Sequence, residues 1–197
     1  MNKTISVARL FLAPVLALLL AAAAHAAAPG IKGTTFNLTA SESYLNQPDG
    51  AAVYSWGYGC TNNTPAPATF APALNNTAFC SAMQVPGPTL IVTEGQTITI
   101  VLTNKLPTSA GNTSILFPGF HVAASGGVAG LLTQEAAPNG TVTYTLTGFT
   151  PGTHSYYSGT QGDLQVEMGL YGAIIVLPAT IPANCTSGPS NGSFGFA

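Results

Sequence analysis

The sequence predicts an all-β domain built as a sandwich of two sheets. Residues 97–103 and 141–147 alternate polar and apolar side chains with a period of two, which is typical of strands with one buried face. Residues 169–177 form a continuous apolar run of strand length, which predicts a central strand. After residue 26 no segment shows a convincing helical period, and many short strands with Gly and Pro turns favour two packed sheets.

The remaining predicted strands are short and are separated by turn sequences. Asn-Gly at residues 139–140 and Pro-Gly at 151–152 are turn dipeptides that lie between the apolar runs. In one predicted strand, Tyr54, Trp56 and Tyr58 share a face, which favours a stripe of packed aromatic side chains. The shorter strand candidates lie at residues 34–40, 52–58, 89–93, 114–120 and 153–157.

The N-terminal residues have the features of a secretory signal peptide. Lys3 and Arg9 precede an apolar run at residues 10–24, and the small residues at its end fit a cleavage site after Ala26. The run is short for a membrane span and contains a proline, which disfavours a transmembrane anchor. We therefore expect a signal peptide over residues 1–26 and export to the periplasm, the cell surface or the medium.

The predicted domain, residues 27–178, carries very little charge. Its two lysines and six carboxylates leave a net charge of −4. Without a basic patch, nucleic acid is not an expected partner. Low charge also favours association, so a self-associating surface protein is one hypothesis for its function. Residues 179–197 are rich in Pro, Ser, Asn and Gly, and they are predicted to be a linker or a truncated C-terminal extension.

Three cysteines follow the predicted signal peptide. An oxidising compartment favours disulfides, and Cys60 and Cys80 flank a loop of about twenty residues that such a bond would close. Cys185 is then left over, which suggests an intermolecular bond, a free thiol or a partner in a missing part of the protein.

Five motifs occur in the order and spacing of one known family. They are Val-Pro-Gly-Pro-Thr-Leu at residues 85–90, Glu-Gly-Gln-Thr at 94–97, Thr-Asn at 103–104, Pro-Gly-Thr at 151–153 and Gly-Leu-Tyr-Gly-Ala-Ile-Ile-Val at 169–176. As a set they resemble the N-terminal plastocyanin-like domain of a multicopper oxidase. The resemblance implies a cupredoxin-like Greek-key β-sandwich and, for the family, copper as the cofactor.

The copper ligands that the resemblance implies are replaced in this sequence. The family's first domain contributes two His-x-His pairs to a trinuclear copper cluster, and alternation along a strand points both imidazoles of a pair to the same side. The positions that match the first pair hold Leu116 and Pro118, and those that match the second hold Tyr157 and Gly159. Leucine, proline and glycine side chains cannot bind copper, and a single tyrosine is a poor substitute. We therefore expect no cofactor in this chain.

The two histidines of the predicted domain are the remaining metal candidates. His121 and His154 each lie beside a replaced ligand motif and could face each other as a two-histidine site. A strand-end histidine with an ordinary hydrogen bond is the commoner situation, and a structural zinc site usually needs four ligands. A blue-copper site needs two histidines and a cysteine. Met168 lies in the right region, but no cysteine occurs between Cys80 and Cys185.

No catalytic constellation stands out in the sequence. Asp163 and Glu167, with Gln161 and Gln165, form a polar cluster that is more typical of a solvated loop than of an acid–base pair. We therefore expect no catalytic residue. The first hypothesis is a non-catalytic structural or interaction module whose partners are missing downstream cupredoxin domains or another chain. The alternative is part of a copper-dependent oxidoreductase whose metal sites lie in those downstream domains.

Overall fold

The structure, a computed structural model, describes residues 29–73 and 80–180. The predicted signal peptide and Cys185 lie outside these residues. Within them the chain forms two five-stranded sheets and a two-stranded hairpin. The elements are β1 (Gly30–Lys32), β2 (Thr35–Asn46), β3 (Ala52–Cys60), β4 (Thr69–Ala71), β5 (Leu90–Thr93), β6 (Ile98–Lys105), β7 (His121–Gly126), β8 (Val128–Ala129), β9 (Gln134–Glu135), β10 (Thr141–Thr147), β11 (Gly152–Tyr157), helix α1 (Gly162–Met168) and β12 (Tyr171–Leu177), with 3-10 turns at Thr61–Asn63 and Thr108–Ala110.

The chain crosses repeatedly between the two sheets. The first sheet has the strand order β11–β12–β5–β1–β4, and the second has the order β3–β2–β6–β10–β7. Thus β1 begins in the first sheet, β2 and β3 lie in the second, and β4 and β5 return to the first. The all-β sandwich prediction is confirmed, and β12 lies between β11 and β5 as predicted for a central strand.

The predicted alternation sets the register of the second sheet. Strands β6 and β10 pair antiparallel, and the apolar residues of one lie directly opposite those of the other. All of these side chains are buried, so the two strands close the core from one side. The pairs are Ile98 with Leu146, Ile100 with Tyr144 and Leu102 with Val142.

The strand predicted at residues 114–120 is wrong. This segment makes only one isolated bridge, at Leu116, and the regular strand β7 begins at His121. Pro118 has no amide hydrogen to donate to a ladder, and Gly119 turns the chain with a φ of 86°. The apolar residues before the proline therefore lie on a loop, and this loop carries them into the core.

One helix was not predicted from the sequence. Helix α1 spans seven residues, which is too short for an apolar period to be visible. It begins after Gln161, whose φ is 45°, and ends at Gly169, whose φ is 120°. Both ends therefore depend on left-handed or otherwise uncommon backbone. No helix among residues 29–73 and 80–180 is long and apolar enough to cross a bilayer.

The hairpin of β2 and β3 extends beyond the rest of its sheet. Strand β2 pairs with β6 as far as Ser41, opposite Lys105, and then continues paired with β3 alone. We call residues 42–46 and 52–56 the hairpin extension. Its side chains are largely exposed, except where β3 re-enters the core at Ser55 and Trp56.

Candidate functional site

Two segments bring together positions that the sequence resemblance predicts to match the family's copper ligands. Leu116 and Tyr157 face each other in an isolated antiparallel bridge. The amide of Leu116 donates to the carbonyl oxygen of Tyr157 over 2.7 Å, and the amide of Tyr157 donates back over 3.3 Å. Both side chains are half-buried. Leu116 belongs to the first predicted pair of ligand positions and Tyr157 to the second, so the structure places one position of each pair side by side.

Gly159 lies against the side chain of Leu116. A β-carbon at position 159 would lie 2.7 Å from Cγ and 2.9 Å from Cδ2 of Leu116. These separations are shorter than van der Waals contact, so Leu116 occupies the space that a side chain at position 159 would need. Pro118, the remaining position, is exposed.

The side chains at these four positions do not fit copper. Leu116, Pro118 and Gly159 offer no side-chain nitrogen, oxygen or sulfur atom, and Tyr157 offers a single phenol oxygen. Over the described ranges 29–73 and 80–180, no group of three or more His, Cys, Asp or Glu residues is placed to hold a metal ion. We therefore derive no copper-dependent step at this site.

The two candidate histidines have different surroundings. His154, on β11, has Nε2 3.0 Å from the carbonyl oxygen of Thr150, and its ring meets Phe120 edge-on at 5.0 Å between centroids. His121 begins β7 in the other sheet, where it is exposed and paired with Thr147. His154 is thus a hydrogen-bonded, packed strand residue, and His121 is an exposed strand-end residue.

A buried carboxylate lies next to the replaced ligand segments. Glu135, at the end of β9, is only 8% exposed. It accepts hydrogen bonds from Nδ2 of Asn112 at 3.0 Å and from Oγ1 of Thr160 at 2.8 Å. Thr160 directly follows Gly159, and its Oγ1 also lies 2.8 Å from Oγ of Ser114. The carboxylate therefore accepts hydrogen bonds from neutral donors only. These bonds connect the β8–β9 hairpin to the segment before Leu116 and to the segment after Gly159.

Gln165 extends this network from helix α1. Its buried Oε1 accepts hydrogen bonds from Thr113 at 2.9 Å and from Ser158 at 2.6 Å, and its Nε2 donates to the carbonyl oxygen of Asn112 at 2.8 Å. In the described residues, no buried side-chain nitrogen or oxygen lacks a hydrogen-bond partner. Such a network, in which every buried side-chain nitrogen and oxygen of the described residues is hydrogen-bonded, stabilises the loops around the site.

The residues of the predicted polar cluster differ in burial in the structure. Asp163 and Glu167 are exposed on α1, whereas Gln165 on the same helix is buried. Sequence reasoning does not single out Glu135 or Thr160. Glu135 has the only acidic side chain between residues 95 and 162, but a single carboxylate in a loop of small residues is not a recognisable motif.

Three buried tyrosines form the core beside the site. The hydroxyl of Tyr58 donates to the carbonyl oxygen of Ser114, and that of Tyr156 donates to the carbonyl oxygen of Pro88, both over 2.7 Å. Burial raises the pKa of Tyr58, Tyr144 and Tyr156 above the ordinary value. These phenols are therefore neutral, hydrogen-bonded core groups.

A disulfide joins the end of β3 to the segment that precedes β5. Cys60 and Cys80 are both buried, and their Cα atoms are 5.5 Å apart. The bond encloses cis peptide bonds before Pro67 and Pro72. It holds Cys80 against the end of β3, within the hydrophobic core.

The strand order and the two packed sheets define a cupredoxin-type domain. A family model described as multicopper oxidase matches residues 62–180. Because this match covers more than half of the sequence, the chain belongs to the multicopper oxidase family.

The named relatives of this chain are consistent with its assignment to the multicopper oxidase family. The chain is 40% identical over 96 residues to L-ascorbate oxidase of Brassica rapa subsp. pekinensis, a match that covers 47% of this chain and 16% of the relative. It is 39% identical over 93 residues to copper resistance protein A of Escherichia coli, covering 47% and 14%. A copper resistance protein A homolog of Pseudomonas syringae pv. tomato is 29% identical over 148 residues, covering 75% and 20%. The chain thus matches a fifth or less of each relative's length.

Solved structures show the same fold at low sequence identity. The multicopper oxidase of Pseudomonas thermotolerans superposes with a TM-score of 0.57 at 18% identity, covering 78% of this chain and 31% of the other. The copper nitrite reductase of Nitrosomonas europaea gives a TM-score of 0.53 at 24% identity, covering 77% and 44%. At these identities the likeness concerns the fold alone, and it agrees with the cupredoxin-like prediction.

Proposed function

We propose that this chain is a non-catalytic cupredoxin domain that serves as a structural or interaction module of an exported multicopper-oxidase-like protein. The sequence resemblance predicts that all four ligand positions are replaced, and the structural observation that supports the proposal is the packing of Leu116 into the space beside Gly159. An empty copper cavity could still accept a metal from other donors. Here the apolar side chain of Leu116 fills the space beside Gly159, and the buried polar side chains of the neighbouring network all have hydrogen-bond partners.

The proposal includes the organisation inferred from the sequence. Residues 1–26 are the signal peptide, residues 27–178 the cupredoxin domain and residues 179–197 a linker or truncated extension. In the family a trinuclear cluster takes ligands from two domains, so the half-exposed surface of Leu116 and Tyr157 is a natural contact surface for a neighbouring domain. The partner is a downstream cupredoxin domain or another chain, and Cys185 is available to bond it covalently.

Metal content tests the non-catalytic part of the proposal. The purified chain is loaded with copper and, separately, with zinc, then desalted and measured by elemental mass spectrometry. We expect far less than one metal per chain, because four replaced positions offer one phenol oxygen. About one metal per chain would overturn the proposal. His121→Ala and His154→Ala would then identify the ligands.

A matched variant shows that the assay can detect a site at this place. Leu116→His combined with Tyr157→His puts two imidazoles on a directly opposed bridge pair, which is close enough for one ion to bind both. We expect this variant to retain copper under conditions in which the wild-type chain does not. Its failure to do so, with the fold intact by circular dichroism, would mean that these positions are not the ligand positions.

A second function is favoured by the length of the relatives. The chain matches only 16% of an ascorbate oxidase and 14% of a copper resistance protein, so their remaining parts hold most of the residues. In this alternative the full protein is a copper-dependent oxidoreductase, and the present domain forms part of its substrate side without binding metal. Sequencing the genomic region downstream distinguishes the two. Further His-x-His and His-Cys-His motifs in the same reading frame would favour the oxidoreductase, and their absence would exclude it.

A further inference from the structure

The hairpin extension exposes two aromatic rings on a face that continues the core side of the sheet. Tyr44 on β2 pairs directly with Tyr54 on β3, and their ring centroids are 5.5 Å apart with an angle of 56° between the planes. Tyr44 is 65% exposed and Tyr54 is 39% exposed. The two rings therefore form an exposed aromatic corner of the hairpin extension.

Hydrogen bonds fix one side of this corner. The indole N–H of Trp56 donates to the hydroxyl of Tyr54 at 3.0 Å, and that hydroxyl donates to the carboxylate of Glu42. The phenol is thus held between an indole and a carboxylate, and its bond to Glu42 raises the pKa of Tyr54. A phenol that donates to a carboxylate has a more electron-rich ring, and electron-rich faces attract cations.

The charged side chains of the β2–β3 hairpin are all acidic. Glu42 lies in the corner and Asp49 in the turn, whereas no lysine or arginine occurs between residues 33 and 104. Lys105 lies beside Ser41 in the register, but its Nζ is 3.2 Å from Oδ1 of Asn139. The corner is therefore complementary to a cation.

Both edges of the extension are open within the described residues. Beyond Ser41 no described strand pairs with β2 on its β6 side, and β3 is the edge of its sheet. Residues 81–84 lie against β3 at residues 57–60, and Gly169 lies against the carbonyl oxygen of Trp56. The open part of the β3 edge is therefore residues 52–55. An extended polypeptide can add to such an edge through main-chain hydrogen bonds, while every second side chain reaches the same face.

We propose that the hairpin extension is a docking site for an extended, lysine-bearing polypeptide segment. Its ammonium group would lie in the corner of Tyr44 and Tyr54, with the carboxylate of Glu42 as the counter-ion. The two ring centroids are 5.5 Å apart, so one ammonium group can lie within about 6 Å of both rings. The inference does not depend on the proposed function, because it concerns a different surface from the replaced ligand positions.

Binding is tested with peptides of defined chemistry. The probe is the peptide acetyl-Thr-Lys-Thr-Lys-Thr-amide, and the matched neutral control carries Nε-acetyl-lysine at both lysine positions. Trp56 is the chain's only tryptophan and bonds to Tyr54, so its fluorescence reports on the corner. We expect saturable binding of the lysine peptide with a Kd on the order of 1 mM, and much weaker binding of the acetylated control.

Variants show whether the corner carries the binding, measured by NMR titration so that the readout does not depend on Trp56. Tyr44→Ala and Glu42→Gln are each expected to weaken binding by about two- to fivefold, and the double variant by more. Tyr171→Ala is the control, because Tyr171 is an exposed tyrosine on the other sheet, with the same 39% exposure as Tyr54. Thermal unfolding checks that each variant folds.

Three results would overturn the proposal. The first is equal binding of the acetylated peptide, which would indicate an apolar or main-chain contact without a cation. The second is binding of the lysine peptide that Tyr44→Ala does not change. The third is binding of choline chloride at matched ionic strength without binding of the peptide, which would make the corner a site for a free quaternary ammonium ion.

Discussion

Leu116 stands where the side chain of residue 159 would have to be, and Gly159 is the residue that allows it. A β-carbon at position 159 would lie within 3.0 Å of three atoms of Leu116: Cγ, Cδ1 and Cδ2. In the family that this chain belongs to, the matching positions are both expected to carry histidines. The two replacements are therefore coupled by packing: a bulky apolar residue at one position goes with the smallest residue at the other.

This coupling is measurable as a non-additive stability change. Gly159→Ala is expected to lower the free energy of unfolding by about 1–2 kcal/mol, because the added methyl group displaces Leu116. In the Leu116→Ala background the same substitution is expected to cost less, by about 1 kcal/mol, because the space is then free. Denaturant unfolding of the four proteins of the cycle gives the interaction energy, and an additive result would contradict the packing.

A second glycine, Gly172, is expected to tolerate an added methyl group less well than Gly159. Gly172 pairs with Tyr156 across β11 and β12, and a β-carbon there would lie 2.3 Å from Cζ of that buried ring. Unlike Leu116, Tyr156 is fully buried and cannot swing into solvent. We expect Gly172→Ala to destabilise the fold by about 3 kcal/mol or more. A cost equal to that of Gly159→Ala would show that the ring moves as easily as Leu116.

The buried carboxylate is expected to be essential for the order of the site's loops. Glu135→Ala leaves Nδ2 of Asn112 and the hydroxyl of Thr160 without their acceptor, and we expect a loss of about 2–4 kcal/mol in the free energy of unfolding. Glu167→Ala is the matched control, because that carboxylate is exposed on α1. Chemical denaturation measures both variants. Equal, small effects would mean that the network adds nothing to stability.

Sequence patterns predicted the regular part of this fold. Period-two alternation identified β6 and β10, because each strand has one face in the core and one toward solvent. The same argument placed Tyr58 in the core, whereas Tyr54 on the same face is exposed. A pattern reports which face of a strand is apolar, but it does not report where the partner sheet ends.

The site was only partly predictable. The positions of the missing ligands came from motif resemblance, and the structure brings Leu116, Tyr157 and Gly159 together. The contact between Leu116 and Gly159 spans two segments that are distant in the chain. The same holds for Glu135 and Thr160, which are 25 residues apart. Contacts of this kind depend on tertiary packing, so no local pattern encodes them.

Stability is expected to fall steeply at high pH. Burial raises the pKa of Tyr58, Tyr144 and Tyr156 in the folded chain, whereas an unfolded tyrosine titrates near its ordinary value of about 10. Below that pH all three are protonated in both states, so their contribution is fully present. Above it the unfolded chain loses protons first, and stability declines by up to about 1.4 kcal/mol per pH unit for each phenol.

Denaturant unfolding between pH 8 and pH 11 measures this decline. Tyr156→Phe removes one of the three phenols, so we expect a shallower slope above about pH 10. Tyr44→Phe is the control, because Tyr44 is exposed and its loss leaves the buried set intact. A free energy of unfolding that stays constant from pH 8 to pH 11 would contradict the burial of these hydroxyls as neutral groups.

The disulfide between Cys60 and Cys80 is expected to contribute substantially to the stability of the fold. Cys60 and Cys80 are 20 residues apart, and closing a loop of that length stabilises a fold by about 3 kcal/mol in the chain-entropy model. We expect Cys60→Ala combined with Cys80→Ala to lose about that amount in denaturant unfolding, and reduction of the wild-type chain to have a similar effect. Cys185→Ala is the control, since it leaves this bond in place. If Cys185→Ala destabilised the chain as much as the double variant, the cysteines would be pairing differently in solution, and peptide mapping under non-reducing conditions would identify the bond that forms.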